Sequence, residues 1–478
     1  MINSIISDLK NKNILILGFG REGKSSFNFI KKYLPNANVT IADKNHIDLE
    51  NVRVNTIVGD NYLDSLNEFD IILKSPGISL KHVDVDESKI SSQLDLLLKH
   101  STVKTIGITG TKGKTTTSTL IYNILKGANK NCFLLGNIGV PVFECLLDIT
   151  CDSILVIEMS SHQLEFMRHS PNISIVTNYY QEHLDHYLDY EHYINAKLNI
   201  FKYQKEDDVC IYNIDQQEYL PLIDAVTCCN KVNISCTNPF DNLSSENFAY
   251  INSCNLGNIF HPYKHYVFLD NEYYINKRTY STSKKYFCIK DLNQNLIGKH
   301  HFYDVLFAFT VCNILDIDNE EIRSILRQFK GIPHRMEYVG KFNDIIFYND
   351  SIATIPQAVI HAINSLKIVD TLIIGGMDRG IDYTEFANFL ACSSINNVIC
   401  LYETGKKISN MMLNINPDNS NKIYIAKDLE DAVNTAFLRT KKNHICLLSP
   451  AAASYGYFKN FEERGNEYKR LIQLFSNK

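Results

Sequence analysis

The chain is 478 residues long, 45% hydrophobic and 21% charged, and its 48 basic and 53 acidic side chains leave a net charge of −5. At roughly 100–200 residues per domain that length excludes a single core, and the composition excludes a disordered chain. With no basic excess and no long Lys/Arg run, nucleic acid is excluded as the partner, and no apolar stretch approaches the roughly 18 residues of a membrane span.

The first residues, MINSIISDLKNKN, contain no basic segment leading into an apolar one, so no export signal is read. The thirteen cysteines are odd in number and scattered, with no Cys-x-x-Cys and one adjacent pair, Cys228 and Cys229. That usage predicts reduced thiols in a cytoplasmic protein rather than a disulfide scaffold.

A short apolar run, Ile14–Leu17, closes on Gly18-Phe19-Gly20-Arg21-Glu22-Gly23 and is followed by a helical pattern through Phe27, Ile30 and Leu34. Val39–Ala42 then ends at Asp43, and Ile71–Leu73 runs into Ser75-Pro76-Gly77. A second unit begins near residue 93: strand Val103–Ile108, a glycine-bearing loop at 110–114, a helix from Thr115, and strands Ser153–Ile157 and Ile173–Thr177. Between about 208 and 295, Tyr, Val and Ile alternate with polar residues and Asn-rich turns, which predicts antiparallel strands on one flank. After Gly331-Ile332-Pro333 come strands Ile345–Tyr348, Thr371–Ile374, Asn397–Tyr402, Ile423–Ala426 and Ile445–Leu448, separated by helical patterns. Strands alternating with helices imply parallel sheets. The predicted fold is α/β, with three tandem α/β domains. A Rossmann-like domain covers 1–92, a central P-loop ATPase-like domain with an antiparallel flank covers 93–332, and a C-terminal Rossmann-like domain covers 333–478.

The segment Thr109-Gly110-Thr111-Lys112-Gly113-Lys114-Thr115-Thr116 stands between a strand and a helix. Small residues there let backbone N–H groups close around phosphate oxygens. The helix N-terminus adds its positive end, Lys114 adds charge, and the Thr115 hydroxyl can hold Mg²⁺. The common G-x-x-x-x-G-K-[ST] pattern would want glycine where this chain has Ile108, so the loop is a shortened variant. Gly18-x-Gly20-x-x-Gly23 with Asp43 fits a dinucleotide fingerprint, another nucleotide diphosphate, or a structural turn. Glu158 and Gln181–His186 end the other two strands of the second unit, and a carboxylate opposite a phosphate loop can complete Mg²⁺ coordination around ATP. A zinc cluster of His183, His186 and His192 is the alternative, without a cysteine at ligand spacing.

Tyr190, Ile194, Lys197 and Phe201 form one helical stripe, so Lys197 occupies an apolar-face position. It is either a lysine snorkelling to water or a desolvated one, whose neutral amine can take up CO₂ and become an anionic carbamate ligand. In the third unit, Asn349-Asp350-Ser351, Gly375–Gly380 and Ser449–Ser454 all end strands, and His334-Arg335 opens the unit, which points to a second substrate.

In order and spacing these segments resemble the Mur ligase family, essentially end to end. The resemblance rests on GFGREG (18–23), SPG (75–77), TGTKGKTTT (109–117), GNIG (136–139), EMSSHQLE (158–165) and QEHLDHY (181–187). It continues through AKLNIF (196–201), HRME (334–337), YNDSIAT (348–354), GGMDRG (375–380), SPAAAS (449–454) and FKNFEERGNEY (458–468).

That resemblance implies an ATP-dependent amide-bond ligase, a monomer acting on small molecules, which joins D-glutamate to UDP-MurNAc-L-Ala through an acyl phosphate in peptidoglycan precursor synthesis. It implies that Arg21, Glu22 and Ser75 lie by the nucleotide-sugar, with uracil near Asp43 and Lys44. ATP is implied on Gly110, Thr111, Lys112, Gly113, Lys114, Thr115 and Thr116, with Asn137, Arg335 and Asp350 nearby. One Mg²⁺ is implied at Thr115 and Glu158, and a second near His183 and a carbamylated Lys197. Lys114, His183 and Lys197 are the implied catalytic residues, and Thr354, Arg379, Ser454 and Phe461 surround D-glutamate under a closing third domain.

Three features depart from the family pattern. Ile352 stands where a lysine is frequent, Arg379 replaces a lysine, and Gly298-Lys299-His300-His301-Phe302-Tyr303-Asp304 lacks the two asparagines expected at 301 and 304. The N-terminal fingerprint with SPG and the C-terminal SPAAAS…FKNFEERG favour D-glutamate over the sister ligases for L-alanine, L-lysine or meso-diaminopimelate and over folylpolyglutamate synthases. A nucleotide-sensing module would need no second metal site, and an NAD-dependent oxidoreductase would need a nicotinamide pocket.

Overall fold

The computed structural model describes residues 1–47, 54–138, 140–183, 186–235, 248–250, 268–269, 272–275, 284–288, 299–329, 331–366 and 368–477. The chain divides into two compact units, residues 1–329 and 330–478.

The first unit carries two parallel sheets. In the first, β1 (Asn13–Leu17), β2 (Asn38–Asp43), β3 (Asn55–Val58), β4 (Ile71–Lys74) and β5 (Ile90–Ser91) are ordered β3-β2-β1-β4-β5. β1 and β4 are near-continuous apolar runs because both of their faces are covered. The strand order reverses between β1 and β4, the switch point where open α/β sheets place ligands. The edge strand β3, mostly exposed, has too little apolar pattern to read from sequence.

The second sheet contains β6 (Lys104–Thr109), β7 (Cys132–Gly136), β8 (Ile154–Glu158), β9 (Ile173–Val176), β10 (Val209–Asn213), β11 (Asn230–Ser235) and β12 (Phe248–Tyr250), ordered β12-β11-β10-β9-β6-β8-β7. Here the structure corrects part of the flank expected over 208–295. β10, β11 and β12 extend the main sheet in parallel register. Polar–apolar alternation marks a strand with one solvated face but does not encode its direction. The crossover helix Leu220–Val226 between β10 and β11 dictates parallel pairing. Among the described residues of that flank, antiparallel pairing is confined to β13 (Phe268–Leu269), β14 (Glu272–Ile275) and β15 (Lys284–Cys288). The remainder of that flank lies outside the described residues, as do Gly139, Leu184, Asp185 and Gly298.

Helix Lys114–Gly127 starts at the end of the β6 loop, and Lys299–Ile314, apolar almost all round, packs along it. Helix Tyr190–Lys202 starts on an Asp189 N-cap that accepts from the His192 amide and buries Tyr193, Ile194, Lys197 and Phe201 on one side.

The second unit is a mixed sheet of β16 (Glu337–Phe342), β17 (Ile345–Asn349), β18 (Val369–Gly375), β19 (Asn397–Leu401), β20 (Ile423–Ala426) and β21 (Ile445–Leu448), ordered β16-β17-β21-β18-β19-β20. All neighbours are parallel except β16 and β17. β16 is an extra antiparallel edge strand that the sequence reading left out. No helix among the described residues is long and apolar enough to cross a membrane.

Candidate active site

The switch point of the first sheet is drawn tight by backbone and side-chain bonds. Ser75 Oγ donates to Gly18 O at 3.0 Å, and the Phe19 amide donates to Asp43 Oδ2 at 2.7 Å. A Cβ on Gly23 would stand 1.9 Å from Gly18 O, so only glycine lets helix Arg21–Tyr33 begin this close to the turn. The glycine loop therefore runs directly into a helix N-terminus, whose first-turn amides favour an anion. Arg21 is exposed beside it. Glu22 accepts from Gln163 Nε2 at 3.2 Å, and burial pushes its carboxyl upward against Gln163, Lys74 and Arg21. Asp43, expected near a uracil, also pins the glycine loop. Lys44 is exposed, 3.7 Å from Asp60.

The phosphate loop, Gly110–Thr116, leaves the end of β6 and is buttressed by the end of β9. The Thr111 amide donates to Asn178 O at 3.0 Å, the Lys112 amide to Asn178 Oδ1 at 2.8 Å, and Thr177 Oγ1 to Lys112 O at 2.6 Å. Gly113, at φ +86°, lets the loop turn into the helix, and a Cβ there would lie 2.5 Å from Asp304 Oδ1. Asp304, one of the two altered positions, is buried beneath this turn. It accepts from Thr117 Oγ1 at 3.0 Å, and His301 Nδ1 is 3.3 Å from its other oxygen. Thr115 and Thr116 occupy the first turn of the helix.

Lys197 is 2% exposed, so it does not snorkel. Its Nζ donates to Gly110 O at 2.9 Å, and Lys114 Nζ donates to the same oxygen at 2.8 Å. Burial, then the Lys114 charge, pushes the Lys197 amine well below the ordinary lysine value, against the opposing pull of Glu182. Tyr193, which sequence reasoning missed, organises this corner. Its ring lies 4.7 Å under Lys197 Nζ and 6.1 Å from the His183 ring, and its hydroxyl is 2.9 Å from Thr111 Oγ1. Its signal was available, since Tyr193 shares the apolar face of the helix with Lys197.

Glu158, at the end of β8, is 1% exposed. Asn137 Nδ2 donates to Oε1 at 2.7 Å, while Oε2 is sealed with no hydrogen-bond partner. An orphaned carboxylate oxygen beside a phosphate-loop strand suits Mg²⁺, which takes one or two carboxylates and completes its shell with phosphate and water oxygens. His183, at φ +60°, is exposed with its ring 4.7 Å from that of His162. The histidines of the zinc alternative go to separate partners: His186 Nε2 lies 2.9 Å from Glu165 and His192 Nδ1 2.8 Å from Asp189. Among the described residues no three His, Cys, Asp or Glu side chains gather as a metal site.

In the second unit the loops after β17, β18 and β21 meet. Ser449 Oγ donates to Asp350 Oδ2 at 2.7 Å, the Gly375 amide to Pro450 O at 2.8 Å, and the Met377 amide to Ala453 O at 2.9 Å. Burial pushes the Asp350 carboxyl up to about 6, against hydrogen bonds from Ser449 and the Met336 amide and the charge of Arg335. Arg464, not singled out from sequence, is 1% exposed and binds Ser351 Oγ, Ser351 O and Ala452 O at 2.8–3.2 Å. Ser454 is buried in the last of these loops, Thr354 and Phe461 are half-buried, and Arg335 and Arg379 are exposed. Ile352 is half-buried and its amide donates to His334 O at 3.1 Å.

Residues 108–312 match the family model of the Mur ligase middle domain, and residues 334–452 that of the Mur ligase, glutamate ligase domain. The UDP-N-acetylmuramoylalanine–D-glutamate ligase of Clostridium tetani (strain Massachusetts / E88) is 33% identical, covering 97% of both chains. The same-named protein of Clostridium botulinum (strain Loch Maree / Type A3) is 31% identical over the same shares. Among solved structures, MurC from Thermotoga maritima superposes with a TM-score of 0.52 at 16% identity, covering 98% of this chain and 100% of that one. MurF from Acinetobacter baumannii gives 0.53 at 14% identity over 94% and 88%. With two matching domain models and end-to-end relatives above 30% identity, this chain belongs to the Mur ligase family.

Proposed function

We propose that this protein is an ATP-dependent ligase that joins D-glutamate to UDP-MurNAc-L-Ala in peptidoglycan precursor synthesis, acting as a cytoplasmic monomer. The relatives that cover almost the whole chain carry that name. One observation carries the chemistry: a phosphate loop stands on the same sheet edge as a sealed carboxylate oxygen, Glu158 Oε2, and its Gly110 carbonyl holds a buried amine, Lys197.

In the reaction, a substrate carboxylate attacks the γ-phosphoryl group of ATP, forming an acyl phosphate and ADP. The amine of D-glutamate then attacks the acyl carbon, and phosphate leaves as the amide forms. Lys114 and the loop amides offset charge on the transferring group, and Gly110–Thr116 orient it for in-line attack. Thr115 with Glu158, and His183 with Lys197, would hold two Mg²⁺ ions, which supply further charge neutralisation when bound. Lys197, disfavoured as an ammonium, reacts as the free amine with CO₂, losing one proton and becoming a carbamate whose oxygen can face a cation. Asn137, Arg335 and Asp350 serve the nucleotide, and Arg21, Glu22, Asp43, Lys44 and Ser75 serve the nucleotide-sugar. Thr354, Arg379, Ser454 and Phe461 receive the amino acid. Domains at 1–92, 93–332 and 333–478 divide these tasks.

The test is phosphate release from ATP with UDP-MurNAc-L-Ala and, in turn, D-glutamate, L-glutamate, L-lysine and meso-diaminopimelate. Release with D-glutamate alone is expected. Release with another amine instead would refute the D-glutamate assignment, and release with none would refute the ligase reading.

A further inference from the structure

β4 is buried along its whole length, yet its last residue is Lys74, 6% exposed. Lys74 pairs in register with Leu17, the residue before the glycine loop, and the next residue, Ser75, holds Gly18. The Lys74 ammonium lies 3.5 Å from Glu165 Oε2 and 5.4 Å from the Phe166 ring centre, with no aligned hydrogen bond. Glu165 Oε2 is also bound by His186 Nε2. Glu22, in the first turn of the helix that follows the glycine loop, is bridged to the same neighbourhood through Gln163. Burial pushes the Lys74 amine down while Glu165 and Glu22 draw it back up, so both carboxylates act on this one cation.

Burying an ammonium at the end of an apolar strand is costly, and a methionine would pack there without that cost. What the charge accomplishes is local. Without it, the charges of Glu22 and Glu165 would add to that of Asp43, which already binds the Phe19 amide of the glycine loop.

We infer that Lys74 is a positioning residue for the nucleotide-sugar: its charge offsets Glu22 and Glu165 at the foot of the glycine loop, so that a diphosphate binds where uncompensated carboxylates would repel it. The inference rests on the substrate reading above and deepens it. Lys74 acts through the field it sets, and Glu165 is the group whose charge it chiefly offsets.

The full-length enzyme tests this with Lys74→Met, Lys74→Arg, Glu165→Gln and the double variant Lys74→Met/Glu165→Gln, each substrate varied in turn and melting followed alongside. Lys74→Met is expected to raise KM for UDP-MurNAc-L-Ala about tenfold or more, with KM for ATP and D-glutamate changed less than about twofold. Adding Glu165→Gln returns the first KM to within about threefold of the parent, Lys74→Arg stays in that range, and Glu165→Gln alone lowers it. An unchanged KM in Lys74→Met, or a rise that Glu165→Gln does not relieve, overturns the inference and leaves Lys74 as packing. If Lys74→Met fails to fold, Glu165→Gln alone decides, and a raised KM there overturns it equally. A parent enzyme that does not turn over UDP-MurNAc-L-Ala overturns the substrate reading itself, and is told apart because it fails before any substitution.

Discussion

Replacing Lys197 by methionine separates what the amine does for the fold from what it does for the reaction. The stem volume is kept in a site 2% exposed, so no large cavity opens. The hydrogen bond to Gly110 O is lost, at about 0.5–1.5 kcal/mol, but that oxygen still accepts from Lys114 Nζ, so no buried acceptor is orphaned. The contact of the amine with the Tyr193 ring gives way to a sulfur–aromatic contact worth about 0.3–1.5 kcal/mol, and the penalty of an amine beside Lys114 disappears. These terms nearly cancel, and melting is expected within a few degrees of the parent. Turnover is expected to fall by about a thousandfold or more, equivalent to about 4 kcal/mol of lost transition-state stabilisation. The assay is phosphate release in CO₂-depleted buffer and after bicarbonate addition. The parent loses activity on depletion and regains it, the variant does not respond, and short carboxylates partly restore Lys197→Ala. A Lys197→Met enzyme within about tenfold of parental turnover, with unchanged melting, would refute the carbamate reasoning.

Other perturbations read other parts of the site. Asp350 holds its proton more tightly folded than unfolded, so ionising it costs stability as pH rises from its ordinary 3.8 through about 6. Asp350→Asn is therefore expected to gain about 3 kcal/mol on the parent between pH 4 and 7 in denaturant titrations of the second unit, and a flat difference would exclude the burial effect. Gly113→Ala combines a left-handed φ with a Cβ 2.5 Å from Asp304 Oδ1. Loss of ATP binding in calorimetry, with the rest of the fold intact by circular dichroism, is expected, and parental affinity would remove the loop assignment. Glu158→Gln keeps an acceptor for Asn137 while discharging the sealed oxygen. Melting is expected to stay level or rise while Mg²⁺-dependent turnover disappears; a variant that still responds to Mg²⁺ would refute the ligand role.

The parts of the site legible in sequence are those written in contiguous residues. The strand–loop–helix around Gly110–Thr116 needs only local spacing, and a 4–3–4 stripe places Lys197 on the apolar face, where the structure buries it. Strand ends at Asp350, Gly375 and Ser449 could be recognised because each apolar run stops abruptly at polar residues. What could not be read depends on partners distant in the chain. β11 alternates as an antiparallel strand would, and only the helix before it sets its direction. Asp43 binds the Phe19 amide across the sheet, and Arg464 reaches carbonyls in two loops, so neither partner is implied by its neighbours in sequence. Lys74 is not legible either, because a single lysine at the end of an apolar run resembles a strand terminus entering solvent, whereas this one is buried.

The strand order of the second unit has a consequence for synthesis. β21 is the last strand to be made, yet it lies between β17 and β18 in the centre of the sheet. Until it has been translated, β17 and β18 have no common neighbour, and the loops that Ser449 and Arg464 tie together have nothing to close on. The first sheet is the opposite case, since its central strand β1 is made first and each later strand adds outward. The first sheet can thus be completed outward from β1 as the chain emerges, while the sheet of the second unit waits for β21.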